Sequence, residues 1–302
     1  MKVFVAGASG VLGRALIVRL LQAGHQVWGM AHRSESLAVI RALGAEPVQG
    51  NALDREGVHA VMARIRPDSV IDQLTSLPAS PFDLPQRLPA DRRLRLEGGG
   101  NLFDAAQVCG VQRYVQQSCG FYLEAPGGLA DEASRLRTEA PGQIGESARM
   151  YAALEKRVLQ ASGMLGTALR YGFFYGPGTW YWHDGAFSAH VRASNVSIIG
   201  AGSATFSFIH VEDAAAVTVA ALSAPGGIYN VVDDQPAKVS QWLPAYAKWI
   251  GAAAPSRVDE REALHRLGEE SVYYQNSLNG AINRKAKRDL GLAPRRLAWL
   301  TV

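Results

Sequence analysis

The sequence predicts an α/β fold, a doubly wound parallel sheet with a smaller C-terminal lobe. Three observations point to it. A short apolar run ends in a glycine-rich turn and passes at once into a helical pattern. A second strand-type run follows that helix, giving β–turn–α–β in about thirty residues. The length, 302 residues, suits one large α/β domain plus a small addition.

Apolar residues make up 48% and charged residues 19% of the chain, so a sizeable core is expected and wholesale disorder is excluded. The net charge of +4 is mild and spread out. The basic runs Asp91-Arg92-Arg93-Leu94-Arg95 and Arg284-Lys285-Ala286-Lys287-Arg288 have helical spacing and acidic neighbours. Both read as solvated helix faces, and no nucleic-acid partner is expected. Cys109 and Cys119 have no CxxC spacing and no histidine cluster beside them, so neither a metal nor a disulfide is expected and the chain reads as cytoplasmic. No apolar run approaches the ~20 residues of a membrane span. The N-terminus runs straight into the glycine turn and does not read as a signal peptide.

Lys2 to Ala6 is the first strand, Gly7-Ala8-Ser9-Gly10-Val11-Leu12-Gly13 the turn, and Arg14 to Ala23 a helix with Leu16, Ile17, Leu20 and Leu21 on one side. Gly24 ends that helix, and His25 to Ala31 is the second strand. In this context a GxxGxxG spacing points to dinucleotide binding. Gly7 allows the tight turn. Gly10 lets a pyrophosphate approach the backbone, and Gly13 lets the helix lie close to the strand. Ser9, Val11 and Leu12 complete the cofactor-facing turn. The end of the second strand selects the cofactor. An acid there would accept from the ribose hydroxyls of NAD, but the chain reads His32-Arg33-Ser34. A guanidinium suits a 2′-phosphate, so NADP(H) is expected rather than a merely solvated Arg33.

Further segments extend the pattern. Gly50-Asn51-Ala52-Leu53-Asp54 follows the third strand, and Ser69 to Leu74 is the fourth. Gly98 to Val111 reads as a long helix and Gln112 to Ser118 as the fifth strand. Later come Leu169-Arg170-Tyr171-Gly172-Phe173-Phe174-Tyr175-Gly176-Pro177-Gly178, then Phe208-Ile209-His210-Val211-Glu212-Asp213, and then Gly227-Ile228-Tyr229-Asn230-Val231. In order and spacing these resemble the extended and atypical branches of the short-chain dehydrogenase/reductase superfamily, with a Rossmann-type core. The resemblance implies cofactor contacts at Asn51, Ala52, Leu74, Thr75, Tyr171, Phe173 and Phe174. It also implies hydride transfer assisted by a Ser–Tyr–Lys set, with Tyr and Lys at i and i+4 on one helix face.

That set is not found. On the helix about Glu146 to Ala161, Tyr151 and Lys156 are five apart, roughly 140° out of phase at 3.6 residues per turn. Glu155 followed by Val158-Leu159 matches the family's register. It puts Tyr151 at the Lys position and Ser147 at the Tyr position. The family serine falls on Ser118 or Cys119, and the usual Asn near the long helix on Arg95. Ser118, Tyr122, Ser147 and Tyr151 are the catalytic candidates. Either hydride transfer proceeds without a dedicated acid, or the chain is a non-catalytic NADP(H) sensor similar to the NmrA-like regulators.

Three segments leave the carboxyl ends of the strands, where ligands of doubly wound folds sit. Leu77 to Pro89 carries four prolines and reads as a stiff, poorly helical wall or lid. Gly120 to Glu146 supplies Phe121 and Tyr122. Gly172 to Ser188 is dense in aromatics, and Trp180, Trp182 and His183 are substrate candidates. Residues 1–175 are expected to bind NADP(H), and 176–302 mainly the substrate, with 205–232 returning to the core. The expected activity is NADPH-dependent reduction of a ketone on a bulky aromatic substrate. Here the chain resembles the triad-less ketoreductases of polyketide tailoring, of the simocyclinone angucyclinone type. A monomer or homodimer is expected.

Overall fold

A computed structural model describes residues 1–300; 301 and 302, the end of the expected lobe, lie outside the described residues. The central sheet has seven strands. They include β1 (Lys2–Ala6), β2 (Gln26–Ala31), β3 (Glu46–Gln49), β4 (Ser69–Asp72), β5 (Arg113–Cys119) and β6 (Leu165–Tyr171). The Gly227–Val231 strand completes it, in the order Gly227–Val231, β6, β5, β4, β1, β2, β3. Every pairing is parallel. The chain reverses direction across the sheet between β1 and β4, which opens a crevice beyond their carboxyl ends.

Strand alternation sorts the core into two layers. Val3 and Val5 pack with Leu16, Ile17 and Leu20 of α1 (Val11–Gln22) on one face. Phe4 and Ala6 pack on the other face, with Met62 of α3 (Arg55–Ile65, after α2 at Ser34–Ala42) and with Leu102 and Phe103. A third cluster, outside the sheet, is built from aromatics that include Tyr175, Tyr181, Phe206, Phe208, Trp242 and Trp299. Besides the Gly227–Val231 strand, the helix Arg284–Leu290 also returns to the sheet, burying Ala286 and Leu290 in the α1 layer.

Three sequence expectations are corrected. Leu77 to Pro89 is not a non-helical wall. A short 3-10 turn, Pro81–Asp83, leads into α4 (Leu84–Arg93). Pro85 lies in the first turn, where a missing N–H costs no helix bond, so only Pro89 interrupts the ladder. Nor does the long helix begin at Gly98. The chain runs from α4 through a π turn, Leu94–Gly98, straight into α5 (Gly99–Val108). The Asp91 to Arg95 run is consequently not a solvated face: Asp91 and Arg95 are each 3% exposed. No helix among the described residues is long and apolar enough to cross a membrane.

Candidate active site

The glycine turn has the shape a dinucleotide needs. Gly7 has φ of 77°, and a Cβ there would come within 2.2 Å of the Gln73 carbonyl oxygen. A Cβ on Gly13 would lie 2.3 Å from the Gly7 oxygen. Gly10 caps α1 with no side-chain hydrogen bond, and no acid stands in the first turn. The Gly10 N–H donates to the Gly7 carbonyl at 3.1 Å; the first N–H groups of the helix beyond it have no intrahelical partner and suit a phosphate. Ser9 and Val11 are half-buried and Leu12 is buried, while His32, Arg33 and Ser34 are exposed where β2 passes into α2. Asn51 accepts from the Leu53 N–H at 3.1 Å through Oδ1, which leaves its amide NH2 to donate. Ala52 is buried under Asn101, which donates to its carbonyl at 2.9 Å. Leu74 and Thr75 leave β4 beside the turn, Leu74 buried and Thr75 half-buried. Phe174 packs on the α1 layer together with Val11.

Tyr171 is corrected as a cofactor contact through its side chain. It is 1% exposed, and its hydroxyl meets Thr218 Oγ1 at 2.6 Å inside the core. Phe173 turns the other way from Phe174. It stacks on Phe121 with centroids 4.1 Å apart and on Phe206 at 4.3 Å, so it joins the aromatic lobe.

Neighbouring residues of β5 face opposite sides. Ser118 Oγ donates to Glu155 Oε1 at 2.7 Å, and Glu155 is paired with Arg170 through Nε at 2.7 Å and Nη2 at 2.8 Å. Ser118 is thus part of a buried polar girder and is corrected as a catalytic candidate. Cys119 occupies the site side, hydrogen-bonded to Tyr151.

Helix α6 spans Gly142–Leu159, and α4 packs against it. Ser147 and Tyr151 stand one turn apart on its buried face, and Lys156 is exposed. Around them the fold gathers Arg95, whose guanidinium carbon lies 5.4 Å from the Tyr151 ring centre, and Tyr122, whose ring is 6.0 Å from that of Tyr151. The Tyr122 hydroxyl bonds to that of Tyr274 at 2.8 Å and also to Ser147. Arg92 Nη1 donates to Ser147 Oγ at 3.4 Å. A narrow crevice reaches this cluster between Leu84 and Leu88 of α4, Gln143, Ile144, Glu270, Tyr122 and Tyr274.

Burial sets the protonation here. It pushes the phenols of Tyr151 and Tyr122 above their usual value, Arg95 opposing the rise at Tyr151. It pushes the Cys119 thiol up to about 12 against the Phe121 backbone bond and Arg95. The three groups are therefore neutral hydrogen-bonders near pH 7. The cluster presents the fixed charge of Arg95 and a layer of rings; Arg92 and the Glu270 carboxyl, which burial raises against the pull of Arg92, stand at its crevice side.

The other substrate candidates divide. Phe121 and Tyr122 join the cluster. Trp180 is half-buried against the lobe. Trp182 and His183 pack on Trp249, the His183 ring at 3.7 Å, and so reach Trp249 rather than Tyr151. Tyr273 and Tyr274, on a π turn at Tyr273–Ser277, were not foreseen because only the return of the chain brings them in. The burial of Asp91 and Arg95 did have a signal, their i, i+4 spacing at the Asn position of the family pattern. Among the described residues no group of three His, Cys, Asp or Glu could hold a metal ion.

Comparison with known proteins gives four findings. The family profile described as "NAD dependent epimerase/dehydratase family" matches residues 3–231. A Streptomyces protein, "3-diazoavenalumate denitrifying reductase", is 37% identical over 99% of this chain and 98% of its own. "4-hydroxy-2-methyl-3-oxo-4-farnesyl-3,4-dihydroquinoline-1-oxide ketoreductase" of Stigmatella aurantiaca is 27% identical over 80% of this chain and 71% of its own. In fold, the chain is similar to the UDP-glucose 4-epimerase of Thermus thermophilus in complex with NAD. The TM-score is 0.76 at 24% identity, over 99% of this chain and 96% of that one.

Proposed function

The chain belongs to the NAD dependent epimerase/dehydratase family, and from that premise we propose that it is an NADPH-dependent reductase of a flat aromatic substrate. The electrophile we favour is one that accepts hydride without a positioned acid: an aryl diazo group lost as dinitrogen. One observation carries the reading. On α6 the inward pair is Ser147 and Tyr151, while Lys156 is exposed. A ketone needs a proton as hydride arrives, and general acid catalysis is typically worth ~10²–10⁴-fold. A diazonium carbon does not. In net, a C–H bond forms with the hydride's electron pair, the C–N bond breaks, and its pair leaves with dinitrogen. The ring carbon is reduced, the nicotinamide is oxidised, and no proton is consumed. Similarity along the whole chain to a denitrifying reductase supports this choice.

The bound nicotinamide supplies the hydride. The residues of the chain bind, orient and exclude water. Gly7, Gly10, Gly13 and the first turn of α1 would hold the pyrophosphate. Arg33, with His32 and Ser34, would take the 2′-phosphate. Residues 1–175 would carry NADP(H) and 176–302 mainly the substrate, with 205–232 returning to the core. Phe121, Phe173 and Phe206 form a stacked wall suited to a flat ring.

A second reading, reduction of an aromatic or polyketide ketone of angucyclinone type, draws on the ketoreductase among the relatives. A fluorescence titration with NADPH and NADH, followed by nicotinamide absorbance, tests both. An ortho-diazophenol and a polycyclic hydroxy-ketone are the substrates. Equimolar NADPH oxidation and dinitrogen release is the expected result. Turnover of the ketone alone selects the second reading. Tight NADPH binding with neither reaction would return the chain to the sensor reading.

A further inference from the structure

Arg95 enters the cluster because the helix from Leu84 to Val108 passes through a π turn at Leu94–Gly98. One-turn π insertions are frequent at functional sites. Arg95 is 3% exposed. Its Nε donates to Asp91 Oδ2 at 2.7 Å, but its Nη1 is buried with no hydrogen-bond partner among the described residues. Asp91 binds the guanidinium through Nε alone, and its Oδ1 takes the Ser76 N–H at 2.5 Å. The groups that face the guanidinium are the Tyr151 ring and the Cys119 thiol. Both are neutral and stand at positions where the family pattern has Lys and Ser. A cation that cannot lose its charge, with a buried donor facing the Tyr151 and Cys119 side of the cluster, suits an anionic oxygen.

We propose that Arg95 is the specificity-determining residue for an aromatic substrate bearing an ionised oxygen next to the reducible group. The proposal rests on the reading of this site as a reductase pocket. Reduction of an ortho-diazophenol turns the ring's quinone-like C=O into a full phenolate. Negative charge therefore grows on that oxygen as hydride arrives, and a preorganised donor aimed at growing charge accelerates the step. The guanidinium then does by charge what a proton donor does in the family pattern. Arg92, three residues earlier on the same helix side, directs Ser147 and does not take this role.

Removing Arg95 alone would leave Asp91 buried and unpaired, so the test uses the neutral pair Asp91→Asn/Arg95→Gln, with Arg95→Lys beside it. The first readout needs no turnover. With NADP⁺ present, 4-nitrophenol and its methyl ether are titrated into the wild type. Preferential binding of the phenolate, read as a downward shift of the bound dye's apparent pKa by about one unit (roughly tenfold in affinity), is expected. The double variant should abolish the shift, and Arg95→Lys should retain part of it. The second readout is kcat/KM for 2-hydroxybenzenediazonium against its 2-methoxy counterpart. The variant should lose on the order of 10²-fold on the first, as removal of one such donor does, and little on the second. Equal binding of phenolate and ether by the wild type, or discrimination that survives in the double variant, overturns the proposal. A wild type that shifts the dye but reduces no diazo compound upholds Arg95 as an oxyanion site and overturns the diazo reading instead.

Discussion

Ser118 and Cys119 are neighbours in β5 and serve opposite sides of it. The Ser118 hydroxyl is bonded to Glu155 at 2.7 Å, and the Cys119 thiol is bonded to Tyr151 in the site. Position in the pleat, not residue chemistry, decides which of them meets a ligand. The serine holds a girder of Ser118, Glu155 and Arg170 that ties β5 and β6 to α6.

Glu155→Ala is accordingly expected to destabilise the fold by about 3–5 kcal/mol, because it strands a buried guanidinium. Ser118→Ala should cost about 1 kcal/mol and leave kcat/KM within a few-fold. Urea unfolding followed by far-UV circular dichroism measures both. A loss of turnover with Ser118→Ala at unchanged stability would return that serine to the reaction.

Tyr151→Phe and Ser147→Ala test the absence of a proton relay. Both side chains are buried, and burial holds the Tyr151 phenol neutral. Steady-state turnover of each variant on the diazo substrate is expected within a few-fold of wild type. A fall on the order of 10²-fold would mean that α6 carries a working acid.

Arg33→Ala should separate the two cofactors. The side chain is exposed just past β2, and its role is tied to a single phosphate. A charge-assisted bond of about 1.5–3 kcal/mol corresponds to a rise in the NADPH dissociation constant of roughly 10–100-fold, with NADH hardly affected. Fluorescence titration decides it, and equal losses for both cofactors would count against a 2′-phosphate contact.

Much of this site was legible because a backbone motif announces itself. The spacing Gly7, Gly10, Gly13 and the strands on either side of it are local. The i, i+4 spacing of Ser147 and Tyr151 is also local, and both lie on the buried face of α6. The substrate side was less legible. Tyr274 meets Tyr122 across 152 residues of sequence. The Asp91 to Arg95 run reads as solvent-facing until the π turn and the packing of α4 against α6 bury it. The prolines of Leu77 to Pro89 argued against a helix, yet only Pro89 falls where a helix bond is lost. Trp182 and His183 were singled out for aromatic density alone, which does not distinguish a pocket wall from lobe packing.

Asp233 gives the fold a pH dependence of its own. It follows the Gly227–Val231 strand, is 2% exposed, and accepts from the Gln235 N–H at 2.9 Å through Oδ1, while Oδ2 has no hydrogen-bond partner among the described residues. Burial raises its carboxyl to about 7; the Gln235 bond opposes that rise and Asp234 adds to it. In the unfolded chain the same group titrates near 3.9. Between those values the folded state holds a proton that the unfolded state has released. The stabilisation is therefore complete below about pH 4 and is lost as pH rises through about 7. Asp233→Asn keeps the Oδ1 acceptor and never ionises. Its melting temperature is expected to match wild type near pH 4 and to exceed it increasingly up to pH 8. A variant that melts below wild type at pH 8 would show that the ionised carboxylate has a stabilising partner after all.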